Sequence, residues 1–172
     1  MTTDKAKPVQ ERIASLFGQS AHLWEGAGGT SPAAIRTSDV AAALGAVARD
    51  HGRIAALVLE THYGSTLAHE RELSKAWELQ ANVSQRDPHR VVLTRFAGAL
   101  AIRQVAGTTY TSTMYAEYAY LLFSRREVLQ IRVGDARRWL MGIHDVALGP
   151  FKHQLRDHAV ERERKRAAKT GA

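Results

Sequence analysis

Cysteine is absent from the 172 residues, which excludes a disulfide framework, a thiolate metal site and a cysteine nucleophile together. That absence suits a reducing, cytoplasmic setting. No run approaches the roughly 18 apolar residues that mark a membrane helix. The opening stretch MTTDKAKPVQERIASLFG lacks the apolar core of a signal peptide. The expectation is a soluble cytoplasmic protein with no membrane partner. Alternating β-rich runs are also missing. The one β-branched stretch, TTYTST at 108–113, is too brief and isolated for a sheet and reads as a loop leading into a helix cap.

What remains is helical periodicity. A short helix is expected from Arg12 to Trp24, followed by GAGGTSP at 26–32, a Gly-rich linker and the best domain boundary in the chain. Thr37 or Ser38 can cap a helix entered by Asp39, with Val40, Ala43, Leu44 and Val47 on one face and Gly52 as its stop. Ile54, Leu57, Val58 and Tyr63 form the next stripe, ending at Gly64, and Ser65 can cap a third segment through Leu67, Leu73, Trp77 and Leu79. Asp87-Pro88 is the clearest start signal, an N-cap followed by a proline whose missing N–H costs nothing in the first turn. The helix it opens is apolar nearly all round and ends at Gly107, which predicts a central, buried element. MYAEYAYLLF at 114–123 starts another. The fold class is therefore all-α, a compact bundle of five to seven helices. It divides into an N-terminal segment (1–36), a helical domain (37–155) and a basic tail (156–172).

The histidines invite a metal or catalytic site, but none of the eight pairs at i, i+4, the spacing that puts two imidazoles on one helical face. His62 and His69 lie two turns apart, about 10 Å along a helix. GAGG lacks the lysine and the leading strand of a phosphate loop, and no serine stands in a nucleophile elbow. The reading is non-enzymatic, with no metal and no cofactor.

Charge is the informative asymmetry. Residues 1–120 hold 12 Lys+Arg against 11 Asp+Glu, whereas residues 121–172 hold 12 against 6. A local positive field attracts polyanions, DNA first and RNA second. Within this third, SRREVLQIRVGDARRWL at 124–140 admits two structures. As one helix, Leu129, Val133, Ala136, Leu140, Ile143 and Ala147 recur at spacings of 4, 3, 4, 3 and 4, a heptad-like seam suited to packing or to self-association. As a helix-turn-helix, Gly134 forms the turn and Asp135 caps a reading helix with Arg137 and Arg138 in its first turn. Gln130 and Asp135 stand where that motif ordinarily has a small residue before the turn and an apolar one after it. Gly149-Pro150 then breaks the chain, and ERERKRAAK at 161–169 extends a last charged helix. The candidate nucleic-acid contacts are Arg125, Arg126, Arg132, Arg137 and Arg138, with Arg162, Arg164, Lys165 and Arg166 as backbone clamps.

The segment YAYLLFSRREVLQIRVGDARRWL and the basic tail behind it resemble small phage-encoded helical transcription regulators, the late-gene antiterminators and region-4-like modules. The resemblance covers the last third of the chain. It implies binding to promoter-proximal DNA and contact with RNA polymerase. The rival expectation is a helical adaptor, such as a phage packaging or assembly component. That protein would oligomerise through the Leu129–Ala147 seam, with its arginines as a solvated rim.

Overall fold

The computed structural model describes residues 8–18, 35–82 and 87–170. Among these the chain forms seven α-helices and no strand: α1 (Val9–Gly18), α2 (Thr37–Asp50), α3 (Arg53–Gly64), α4 (Glu70–Gln80), α5 (Pro88–Val105), α6 (Ser112–Leu121) and α7 (Arg126–Thr170). The all-α expectation is met. The GAGGTSP linker and the far end of the helix expected to run to Trp24 lie outside the described residues.

The strongest cap signals hold. Asp87 Oδ1 accepts from the Arg90 N–H at 3.0 Å, with Pro88 in the first turn of α5. Thr111 Oγ1 accepts from the Met114 N–H at 3.3 Å, so the β-branched stretch does lead into the cap of α6. Two expected caps are corrected. Arg36, rather than Thr37 or Ser38, is the N-cap of α2. The Asp39 carboxylate reaches back from the third helical position to accept the Arg36 N–H at 2.8 Å, which draws Thr37 into the helix. Ser65 does not start α4 but closes α3 in the left-handed region, at φ 45°. The Thr66 hydroxyl then accepts from the Ala68 N–H at 3.2 Å, a local turn that holds the next helix back until Glu70.

Of the two readings of 124–140, the single helix is the one observed, and it continues past the expected break at Gly149-Pro150 to make α7 45 residues long. Neither the turn at Gly134-Asp135 nor the break at Gly149-Pro150 exists, so α7 contains no helix-turn-helix. The reason is packing. Leu129, Val133, Ala136, Leu140, Ala147, Phe151, Leu155 and Ala159 are all at most 2% exposed, a single stripe that a bend at either point would divide. Open space surrounds the position of a Cβ at Gly134, so that glycine serves neither a turn nor a close approach. At Pro150 the helix loses one hydrogen bond. The Val146 carbonyl left without a donor belongs to a residue that is 67% exposed, where water can take the bond.

Two apolar cores lie along α7. The first half of the helix packs through Leu129, Val133, Ala136 and Leu140 against α3, α4, α5 and α6. The second packs through Ala147, Phe151 and Leu155 against α1, α2 and α3. Since α7 runs without interruption past residue 155, the segment read as a tail is a continuation of the domain's own helix, and Ala159 within it is fully buried.

Candidate nucleic-acid interface and a polar layer

The nine sequence-derived contact residues fall into groups too far apart to form one patch. From Arg126 to Arg138 is about 18 Å along the helix axis, and from Arg138 to Arg164 about 39 Å. Arg125 is exposed in the connection before α7. The Arg126 guanidinium contacts Glu127 at 3.0 Å and donates to Ser112 Oγ at 3.2 Å, so it ties the start of α7 to the start of α6. Arg132 is half-buried and Arg137 exposed. Arg138 is exposed but holds Asp135 at 2.6 Å, one turn back.

Arg162 is tied into the fold. Its Nη1 lies 3.2 Å from the carboxylate of Asp39, which is only 3% exposed, and its Nη2 lies 3.3 Å from Glu163. This pair fastens the far part of α7 to the start of α2, so burial and an internal partner take Arg162 out of the candidate interface. Lys165 pairs with Glu161 at 2.7 Å on the solvated face, where water and salt screen the contact. Beyond Arg162 the character changes. Residues 164–170 are all exposed and include Arg164, Lys165, Arg166 and Lys169 without an intervening carboxylate. This end of α7 is the densest cationic surface among the described residues. It also carries the helix C-terminus, whose partial negative charge such side chains offset.

The structure also gathers a polar cluster that residue spacing did not reveal. Tyr63 on α3 and His144 on α7, 81 positions apart, meet with Tyr63 Oη 3.0 Å from His144 Nε2. His144 Nδ1 lies 2.9 Å from Asp145 Oδ1. The carboxylate fixes the tautomer: Nδ1–H donates to Asp145, leaving Nε2 to accept from the Tyr63 hydroxyl. His62 completes the layer, its ring centroid 4.7 Å from that of His144. Neighbouring residues Leu140 and Ala147 belong to different cores, so His144 marks the level at which one core gives way to the other. Only the 3D crossing of α3 and α7 shows this. The one hint in the sequence is an imidazole on the apolar stripe of α7.

Chemically this is an Asp–His–Tyr chain, but its terminal hydroxyl is poorly suited to act as a nucleophile. Burial, and secondarily the negative charge of Asp145, push the Tyr63 pKa up. Three surface clefts lined by described residues do not open on the cluster. One, about 820 Å³ between α4 and α5, is bordered by Glu70, Arg71, Lys75, Glu78 and Arg95. Its charges are largely closed on one another: Arg95 meets Glu78 at 2.7 Å, and Arg103 meets Glu70 at 3.1 Å. A second, about 380 Å³, lies beside Trp139 and Ile143, and a third, about 560 Å³, runs along α7 by Arg156 and Arg164.

The half-buried polar layer carries a pH dependence. Burial chiefly, with the neighbouring His144, lowers the His62 pKa below the ordinary 6.5, while a hydrogen bond with the Val105 backbone partly opposes the shift. The folded chain therefore resists a proton that the unfolded chain accepts. This histidine leaves stability unchanged well above pH 6.5 and reduces it as the pH falls through 6.5 toward the lowered folded value. Thermal melts should show a midpoint that drops across this acid range, and His62→Gln should flatten the drop. An identical acid slope in the variant would assign the effect elsewhere.

Comparison with family models, with curated proteins and with solved structures returned no match. Among the described residues no helix is long and apolar enough to cross a membrane, and no cluster of three or more metal-ligating side chains occurs.

Proposed function

We propose that the chain is a non-enzymatic nucleic-acid-binding protein, a regulator that holds phosphates along the far end of α7. The observation behind this reading is the run 164–170, fully exposed and carrying four cations and no carboxylate. An α-helix presenting cations on successive faces can follow a phosphate backbone without reading bases. Arg137 and Arg138 lie too far away to share that contact. They act, if the nucleic acid runs along α7, as a second point of attachment about 39 Å on. The resemblance to phage-encoded regulators supports promoter-proximal DNA, next to RNA polymerase in an antitermination-like role, as the target.

Four neutralised phosphates set the expected salt response. The slope of log K against log salt should be close to −3.6, so affinity for duplex DNA falls about 100-fold between about 50 and 200 mM salt. Reversing Arg164, Arg166 and Lys169 to glutamate together should abolish the shift, whereas Arg162→Ala should not act through binding. A wild-type chain that binds neither duplex, single-stranded DNA nor RNA at about 50 mM salt sinks the reading.

The adaptor reading needs a different surface from the one the sequence suggested. The Leu129–Ala147 seam is consumed within the chain, with Leu129, Ala136 and Ala147 all at 0% exposure, and is closed to a partner. An exposed apolar corner elsewhere keeps self-association in play.

A further inference from the structure

The α6–α7 connection holds a residue in the wrong place for its type. Helix α6 ends in a Schellman motif: the Phe123 N–H donates to the Tyr120 carbonyl at 3.1 Å and the Ser124 N–H to the Ala119 carbonyl at 2.9 Å. The motif puts Phe123 in the left-handed region at φ 49°, where glycine is the ordinary occupant. The same chain shows the ordinary solution at the end of α5. Gly107, at φ 102°, donates to Gln104 at 3.0 Å and Thr108 to Arg103 at 2.8 Å. A phenylalanine at this position is strained, and within the chain it recovers nothing, because it is 91% exposed.

Phe123 is not alone. Tyr120 is 82% exposed, Leu121 70% and Ile131 63%, and Val128 is also exposed. Tyr120 and Leu121 end α6, and Ile131 lies within two turns of the start of α7. Large apolar side chains crowd this corner of the molecule, whereas exposed Leu79 lies on another surface, at the end of α4.

We infer that this corner is the surface through which two copies of the chain associate, with Phe123 as its central anchor. The charge around it selects the occupant. Arg125, Arg126 and Arg132 are interleaved with Glu117 and Glu127, and Arg126 is already closed on Glu127. A nucleic acid or an anionic lipid surface calls for a uniformly positive rim, such as the one at 164–169. A rim of both signs is complementary to itself, because a two-fold axis brings Glu117 of one copy toward Arg125 and Arg132 of the other. An aromatic anchor within a mixed polar rim also matches the anatomy of a protein interface. The inference is independent of nucleic-acid binding.

Light scattering on the full chain tests it. At about 100 μM, well above the micromolar range of ordinary interfaces, the wild type should have twice the chain mass. Phe123→Gly should raise the melting temperature measured in the dilute, monomeric range, because it removes the strain. The same variant should weaken dimerisation at least 10-fold. Ile131→Asp should give a folded monomer, and Leu79→Asp, on another surface, should leave the dimer unchanged. A monomeric wild type at about 100 μM overturns the inference, as does a dimer that survives Phe123→Gly combined with Ile131→Asp, or one broken equally by Leu79→Asp. A monomer that binds anionic vesicles or single-stranded oligonucleotides and loses that binding in Phe123→Gly also overturns it, by giving the corner a different occupant.

Discussion

Leu140→Asp should destroy the fold rather than dissociate an assembly. Leu140 is 1% exposed in the first core, where its neighbours along α7 are Val133 and Ala136 and its other partners come from α3, α4 and α5. Removing the leucine costs about 2–5 kcal/mol in lost burial and cavity, and a carboxyl group in its place adds several kcal/mol of unmatched desolvation. Against a total stability of about 5–15 kcal/mol, the chain should lose most of its helical circular dichroism and its cooperative melt. Ile131→Asp, nine residues earlier on the same helix but 63% exposed, should leave both intact. A folded monomer of Leu140→Asp would mean that the seam faces a partner after all.

Asp39→Ala should lower stability by about 3 kcal/mol, close to 10 °C in melting temperature for a chain of this size. Two losses combine. The Arg36 N–H loses its acceptor at 2.8 Å, and Arg162 loses the carboxylate at 3.2 Å. Arg162 is itself 20% exposed at its side chain, so its share is smaller than for a fully buried pair. Asp39→Asn keeps an acceptor for Arg36 but removes the charge, and should fall between wild type and Asp39→Ala. Equal melting of Asp39→Ala and wild type would show that the pair does not hold α7 to α2, and would return Arg162 to the list of phosphate contacts.

Local signals were legible where the physics is local. Asp87-Pro88, the TTYTST stretch and Gly107 act through groups only a few residues away, and all three do what their sequence suggests, with Thr111 supplying the cap within TTYTST. The heptad seam of α7 was equally plain, but periodicity reports only that a face is covered and not by what. α5 and its neighbours cover it, so a surface suited to a partner chain proved to be core. Arg162 illustrates the same boundary among the charges. In ERERKRAAK it is indistinguishable from Arg164 and Arg166, and its partner Asp39 stands at the other end of the sequence. The Tyr63–His144 contact spans 81 positions, beyond any i, i+4 argument. Phe123 was hidden for a further reason. In an apolar run such as YAYLLF it reads as a core residue, and only its exposure in the fold shows that it lies outside the core.

The continuity of α7 bears on how the protein is made. Helix α1 ends 108 residues and α2 76 residues before α7 begins, yet their core is completed by Ala147, Phe151 and Leu155. On the ribosome these early helices must wait with Ile13, Phe17, Val40 and Leu44 covered only by one another and by Ala55, Ala56 and Leu59 of α3 while the rest is synthesised. At about 5–20 residues per second, that wait lasts several seconds. Nascent chains arrested before residue 147 should therefore be protease-sensitive and bind chaperones through α1 and α2, with protection arriving abruptly once Leu155 has left the exit tunnel.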